Sequence, residues 1–209
     1  MYTKPEFAPS SREEIFNLIQ RTTFATIVSA GPEGLVASHL AFLADPHRGK
    51  HGTLRSHLAC ANPHTALIAA GHMSIVMFNG PHGYISSSWY PASPVRDSAP
   101  TWNFAVVHCH GRPQTVDMPS TARQLSDLVE HLEHHRAGRW SLRELGPGGM
   151  ERRLSKILGF EIPIERLEAK FKMGQDERLP DTEAAIRALS ETDPTLADLM
   201  SRHNAHRRQ

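Results

Sequence analysis

Hydrophobic and polar residues alternate with two different periods along this 209-residue chain, and these periods divide it into helices and strands. In "SSREEIFNLIQ" the apolar residues recur with a helical period, which predicts a helix over about residues 11–20. Its start carries a capping box of Ser10 or Ser11 with Glu13 or Glu14. Alternation with period two, bounded by Gly and Pro, predicts strands in "TFATIVSAG", "GLVASHLAFLAD", "HGTLRSHL", "MSIVMFNG", "GYISSSWY" and "WNFAVVHCHGRPQTV". We expect an exposed loop at Pro91–Pro100 between the last two strands.

Helix signals return in the middle and at the end of the chain. In "ANPHTALIAAG", Asn62 as N-cap and Pro63 in the first turn predict a helix that stops at Gly71. From Ser120 onward, a capping box of Thr121 with Gln124 predicts another helix. Further elements are a short helix in "MERRLSKIL", one or two strands in "GFEIPIERLEAKFKM", and helices from Asp181 and from Asp193.

Six or seven strands with few crossover helices between them indicate a mainly β fold with flanking helices, of the α+β class. Such a pattern favours an antiparallel barrel over a doubly wound parallel sheet. We expect a barrel domain over residues 1–175, with a helical insertion at about 120–157, and a C-terminal helical tail over 176–209.

The composition excludes several classes of protein. A net charge of +1 gives no electrostatic case for nucleic-acid binding, because the only basic cluster is the tail "SRHNAHRRQ". Two cysteines without a CxxC spacing predict a reducing, cytoplasmic setting. No signal peptide is visible, and no apolar run approaches the roughly 18 residues of a membrane span. Rossmann, P-loop and GxSxG motifs are also missing from the sequence.

Two pairs of histidines have spacings that metal sites also use. His131 and His135 lie four residues apart on a predicted helix, and His108 and His110 share one face of a predicted strand. Neither pair has an obvious third ligand, so we interpret the helical pair as part of a solvated face and predict no metal site.

Polar residues at two strand ends are candidates for binding a phosphorylated ligand. Arg55, Ser56 and His57 come just before a predicted helix start, and Ser38 and His39 lie on a neighbouring strand. Arginine suits phosphate geometry, and a helix start offers free backbone N–H groups. An ordinary strand end with polar residues facing water explains the same pattern.

The aromatic residues of the chain concentrate in "GPHGYISSSWYPASPVRDSAPTWNFAVVHCHG". In it, Trp102 and Asn103 pair a flat apolar surface with an amide that both donates and accepts hydrogen bonds. That combination suits a planar heterocycle such as a flavin ring. A core tryptophan beside a turn asparagine is the alternative.

Several of these segments occur together, and in the same order, in one family. With "MYTKPEF", "HLACANP", "GPHGYISSSWY", "PTWNFAVVHCHG" and "ILGFEIPIERLEAKFKMGQ", the chain resembles the PaiB-type FMN-binding proteins over residues 1 to about 175. The family is described as a negative regulator of sporulation and degradative-enzyme genes. The resemblance implies a split β-barrel of the FMN-binding type that forms a homodimer and holds FMN at the subunit interface.

The resemblance also marks cofactor-binding residues. His57 and Asn62 stand in the "HxAxxNP" segment, and Trp102 and Asn103 stand in "PTWN". We add Ser38, His39, Arg55 and Ser56 from their expected place at neighbouring strand ends.

Three functions are compatible with these features. The first is an FMN-binding dimer with a regulatory role. The second is an enzyme of the same barrel class, such as a pyridoxamine-phosphate-oxidase-like oxidoreductase or a haem-degrading relative. The third is direct repression through DNA, for which the C-terminal helices and "HRRQ" are the only candidate elements.

Overall fold

The structure is a computed structural model that describes residues 1–92 and 98–208. The helices are α1 (Arg12–Thr22), α2 (His64–Ala69), α3 (Met118–Glu133), α4 (Gly149–Leu154), α5 (Leu179–Thr192) and α6 (Pro194–His203). The strands are β1 (Phe24–Gly31), β2 (Gly34–Ala41), β3 (Leu43–Asp45), β4 (Thr53–Ala59), β5 (Ser74–Ile85), β6 (Thr101–Gly111), β7 (Gln114–Thr115), β8 (Ile157–Pro163) and β9 (Arg166–Lys172). Residues 93–97 of the predicted loop Pro91–Pro100 lie outside the described residues.

The strands form two antiparallel sheets. Their hydrogen-bonded orders are β2-β1-β5-β6-β9 and β3-β4-β8-β7, and the described strands do not close into one continuous barrel. The α+β class predicted from the sequence is therefore confirmed. No helix within the described ranges is long and apolar enough to cross a membrane.

The chain divides into two compact units built from interleaved segments. The smaller unit comprises the described parts of Met1–Leu18, Asn79–Val107 and Glu168–Gln209, and the larger comprises Ile19–Phe78 and His108–Leu167. The predicted division into residues 1–175 and a tail stays a prediction.

Aromatic packing forms the core of the larger unit. Phe42 makes edge-to-face contacts with Phe78 and Phe160, with ring centroids 6.0 Å and 6.1 Å away. All three rings are buried, and edge-to-face packing is the arrangement that aromatic pairs prefer. The register of β4 on β8 places Ser56 opposite Phe160 and His57 opposite Gly159.

In the smaller unit, α5 and α6 are tied to the end of β9 by polar contacts. Asn204 is buried, and its amide donates to the carbonyls of Met173 and Met200 at 2.9 Å and 2.8 Å. Arg207 donates to the carbonyls of Gly174 and Glu177 at 3.1 Å and 2.6 Å. These hydrogen bonds hold the C-terminal segment against the residues that follow β9, and they occupy the guanidinium of Arg207.

The first helix starts as the sequence predicts. Ser11 Oγ accepts from the Glu14 backbone N–H at 3.1 Å, and the Glu14 carboxylate accepts from the Ser10 N–H at 2.7 Å. Two backbone donors that have no partner inside the helix are satisfied in this way.

Two boundary predictions were wrong. The predicted strands "MSIVMFNG" and "GYISSSWY" are largely one strand, β5, which continues past Gly80, where the first predicted strand ends. A Cβ on Gly80 would lie 2.7 Å from Leu18 Cδ1 and 3.1 Å from the Ala105 carbonyl, so the glycine permits close packing and does not mark a turn. Helix α3 starts at Met118 because Asp117 caps it, accepting from Ser120 N at 2.8 Å.

Candidate functional site

Strand β4 carries three of the predicted site residues, and its pleat separates them. Successive side chains of a strand point to opposite faces. Ser56 lies on the buried face and donates to the Ala41 carbonyl at 2.7 Å, whereas Arg55 and His57 lie on the half-exposed face. The structure therefore separates Ser56 from Arg55 and His57, because the serine shares a face with core residues, and a cofactor role for Ser56 stays a prediction.

The guanidinium of Arg55 is paired on one side and unsatisfied on the other. Its Nη1 donates to Asp127 Oδ2 of α3 at 2.6 Å. Its Nε is buried and has no hydrogen-bond partner among the described residues. A buried N–H without a partner costs free energy, and a ligand oxygen would reach this atom only after the neighbouring groups moved.

A second ion pair lies next to Arg55 on the same sheet. Glu161 of β8, which pairs with Arg55 in the strand ladder, accepts from Arg48 at 2.6 Å and from Gln124 at 3.2 Å. The Gln124 Oε1 atom is also buried without a partner within the described ranges. The two cations and two carboxylates of this cluster compensate each other, so the predicted phosphate corner carries no excess positive charge.

His57 lies near the start of α3. Its ladder partner is Gly159, and Thr121 of α3 packs so tightly on Gly159 that a Cβ there would overlap the threonine side chain. Burial lowers the pKa of His57 below its ordinary value, so the imidazole is neutral at pH 7. A neutral imidazole both donates and accepts a hydrogen bond.

Ser38 and Asn62 are hydrogen-bonded to each other and to a buried histidine, His64, that sequence reasoning did not single out. The His64 ring is fully buried; its Nδ1 lies 2.9 Å from Ser38 Oγ and its Nε2 lies 2.8 Å from Ser29 Oγ. Asn62 Nδ2 donates to the same Ser38 Oγ at 3.1 Å, and Asn62 Oδ1 accepts from the His64 backbone N–H at 2.9 Å. Burial lowers the pKa of His64.

His39 points away from this network. It follows Ser38 on β2 and is exposed, with its Nδ1 3.0 Å from Thr26 Oγ1 and its ring stacked on Phe24. Period-two alternation accounts for the separation of Ser38 from His39. The structure therefore joins Ser38 with Asn62 and leaves His39 on the other face of β2.

The smaller unit presents an aromatic surface around Trp102. Trp102 is half exposed; it stacks near His82 at a centroid distance of 6.0 Å and lies 6.2 Å from Tyr84. Its indole N–H donates to His82 Nδ1 at 3.3 Å. Tyr84 is also half exposed, so a planar ligand could stack on this surface.

Asn103 does not belong to that surface. It is buried, with its amide nitrogen 3.5 Å from Met200 Sδ and its oxygen accepting from Lys172 at 3.4 Å. Adjacent positions of β6 face opposite ways, so the predicted joint surface of Trp102 and Asn103 is not formed. A ligand role for Asn103 stays a prediction.

The histidine pairs have protein partners. His131 Nε2 lies 3.1 Å from the Gln20 carbonyl and 3.2 Å from Thr23 Oγ1. The rings of His108 and His110 are 6.5 Å apart, and His110 Nδ1 accepts from Arg166 at 3.1 Å.

Two antiparallel sheets with flanking helices are the architecture of the flavin-binding split-barrel class. The chain belongs to the family described as "Putative FMN-binding domain", which matches residues 1–166. It is 33% identical over 204 residues, 96% of either chain, to the "Protease synthase and sporulation protein PAI 2" of Bacillus subtilis. The family match confirms the predicted cofactor, FMN.

Solved structures share the fold at low sequence identity. The FAD and haem binding protein of Mycobacterium smegmatis superposes with a TM-score of 0.60 at 17% identity, covering 85% of this chain and 78% of that one. The flavocytochrome Anf3 of Azotobacter vinelandii gives a TM-score of 0.59 at 14% identity, covering 81% and 72%. These likenesses confirm the split-barrel fold.

The residues of the larger unit suit FMN as a ligand rich in hydrogen-bond acceptors. Among the residues that the structure describes, Arg55 Nε has no acceptor and Asn62 uses one of its two amide N–H groups. Carbonyl and phosphate oxygens are the acceptors that such donors bind. Asp127 already compensates the charge of Arg55, so a phosphate would have to displace this carboxylate in order to pair with Arg55.

Proposed function

We propose that the protein is an FMN-binding homodimer of the PaiB type with a regulatory role. The observation that carries the proposal is the half-buried Asn62, whose amide is held on both sides and keeps one N–H for a ligand. Family membership and the 33% identity over 96% of the chain to the Bacillus subtilis protein support FMN as that ligand and regulation as the role.

In this proposal each candidate residue has a separate task. Asn62 donates to a flavin oxygen, neutral His57 donates or accepts at a second ligand atom, and Arg55 binds the phosphate. Trp102 lies with Tyr84 on an exposed aromatic surface of the smaller unit, and a stacking role for it is a separate proposal. Bound FMN would supply redox chemistry, which the protein tunes through these hydrogen bonds.

Binding of FMN compared with riboflavin tests the role of Arg55. The double variant Arg55→Gln/Asp127→Asn removes the ion pair without leaving one charge unpaired. We expect it to lose at least tenfold in FMN affinity, because charge-assisted hydrogen bonds contribute about 1.5–3 kcal/mol, and to bind riboflavin unchanged. An equal loss for both ligands would contradict phosphate binding by Arg55.

The Asn62 contact is tested by Asn62→Asp, with Cys60→Ser as the matched control in the same turn. Aspartate still accepts from the His64 N–H but has no donor for the flavin. We expect weaker binding of both FMN and riboflavin for Asn62→Asp, and no change for the exposed Cys60→Ser.

The proposed homodimer is tested by light scattering, which measures the molar mass of the wild-type protein in solution.

The oxidoreductase alternative makes a different prediction. An enzyme would show reduction of bound flavin by NAD(P)H and reoxidation by an acceptor, whereas a regulatory binder would show neither at a catalytic rate. Anaerobic stopped-flow absorbance measures both steps.

Direct DNA binding is the least supported of the three functions. Arg207 of the basic tail already donates hydrogen bonds to the backbone carbonyls of Gly174 and Glu177.

A further inference from the structure

The buried histidine His64 belongs to a hydrogen-bond chain whose direction is fixed at both ends. The chain runs through side chains of three strands and the α2 region, in the order Asn62, Ser38, His64, Ser29 and Ser74. Ser29, Ser38, His64 and Ser74 are all buried. Each hydroxyl has a single proton, so the donor at one link determines the donor at the next.

One end of the chain is set by a backbone carbonyl. Ser74 Oγ donates to the His72 carbonyl at 2.9 Å, because a carbonyl can only accept. Ser74 must then accept from Ser29 Oγ, which lies 2.6 Å away. With its proton used, Ser29 accepts from His64 Nε2–H at 2.8 Å.

The other end is set by a backbone N–H. The His64 N–H can only donate, so the Asn62 atom 2.9 Å from it is the carbonyl oxygen. The amide nitrogen is therefore the atom that donates to Ser38 Oγ at 3.1 Å. Ser38 in turn donates to His64 Nδ1, the unprotonated nitrogen of the neutral ring, at 2.9 Å.

We infer that His64 is a positioning residue that, through Ser38, holds the Asn62 amide with one N–H directed at the ligand, so that the site selects an acceptor oxygen. If the Asn62 amide were flipped, its nitrogen would face the His64 backbone N–H, which is also a donor. Ser38 Oγ would then face the amide oxygen and would receive no hydrogen bond from Asn62. Both contacts would be lost together, so the orientation is held cooperatively. The ligand identity rests on the proposed function, but the orientation of Asn62 does not.

Two buried serines give a matched pair of variants. Ser38→Ala and Ser74→Ala each remove two hydrogen bonds, but only Ser38 contacts Asn62. With Ser74→Ala, Ser38 still accepts from Asn62, so the amide stays in place. We expect Ser38→Ala to weaken FMN binding about fivefold to tenfold and to shift the visible spectrum of bound flavin, whereas Ser74→Ala changes neither.

Measuring riboflavin binding by the same variants identifies the ligand oxygen that accepts the hydrogen bond from Asn62. An equal loss for riboflavin and FMN in Ser38→Ala assigns the Asn62 contact to a ring or ribityl oxygen, and a loss for FMN alone assigns it to the phosphate. Wild-type affinity and spectrum in Ser38→Ala, in a protein that binds FMN, would overturn the inference and leave the proposed function standing. Equal effects of Ser38→Ala and Ser74→Ala would also overturn it, because they would show a purely structural role.

Nuclear magnetic resonance tests the chain without any flavin. Long-range ¹H–¹⁵N correlation spectra distinguish the two imidazole tautomers. We expect His64 in the Nε2–H tautomer, and still neutral at about pH 6.5, where an unperturbed histidine is half protonated. The Nδ1–H tautomer, or an imidazolium, would overturn the inference even if FMN does not bind.

Discussion

Trp102 and Asn103 are neighbours in sequence, yet their side chains lie on opposite faces of β6. Trp102 is half exposed beside His82 and Tyr84, whereas Asn103 is buried against Met200 and Lys172. The pleat of the strand thus separates a surface aromatic from an internal amide. The two positions should therefore respond differently to substitution.

Substitution of this pair by alanine tests that difference. We expect Trp102→Ala to change the free energy of unfolding by no more than about 0.5 kcal/mol from the wild-type value. We also expect it to weaken flavin binding. Asn103→Ala should lower the free energy of unfolding by about 1–3 kcal/mol, because it removes buried polar contacts. Urea unfolding and flavin titration of both variants measure these effects, and a Trp102→Ala protein that unfolds much more easily would contradict the assignment.

A second prediction concerns Gly159, which lies under helix α3. A Cβ at this position would overlap the Thr121 side chain, so Gly159→Ala should lower the free energy of unfolding by about 1–3 kcal/mol. Gly159→Ala/Thr121→Ala is the matched rescue, because it removes Thr121 Oγ1, the nearest of the crowding atoms, together with Cγ2. A thermal shift assay should show partial recovery in the double variant, and a fully stable Gly159→Ala would refute the close packing.

The two thiols should differ in reactivity. Cys60 is exposed, whereas Cys109 is buried and burial raises its pKa to about 12. Because the thiolate is the reactive form, we expect one fast-reacting thiol with a disulfide reagent in the native protein and two in denaturant. Cys60→Ser should abolish the fast reaction, and a fast reaction that persists in this variant would place Cys109 at an accessible site.

Stability should fall on the acid side because of His57 and His64. Burial lowers the pKa of both imidazoles, so below about pH 6.5 the unfolded chain binds more protons than the folded one. The free energy of unfolding therefore decreases as pH falls from about 6.5 toward the folded-state pKa values. His57→Gln removes one titrating group, so urea midpoints should decline less steeply with acid than in the wild type. An unchanged decline would contradict the lowered pKa of His57.

The sequence predicted the elements whose signals are local. The capping box of Ser11 and Glu14 is read from adjacent residues, and it starts α1 as expected. The predicted end of a strand at Gly80 was wrong, because this glycine allows close contact with Leu18, which is distant in sequence. Local patterns cannot distinguish these two uses of glycine.

The candidate site was predictable only in its parts. Period-two alternation, applied within β4, would have separated Ser56 from Arg55 and His57. The pairing of Arg55 with Asp127 and the burial of His64 between two serines depend on elements far apart along the chain. Neither relationship leaves a signal in the spacing of residues.

Titration of the wild-type protein with FMN, followed by visible absorbance and equilibrium dialysis, tests the central claim most directly. The proposed function predicts saturable binding of one FMN per chain, with a spectrum perturbed by hydrogen bonds to the flavin and with protection against thermal unfolding. A purified, folded protein that shows no spectral change, no retained flavin and no thermal shift at saturating FMN would contradict it.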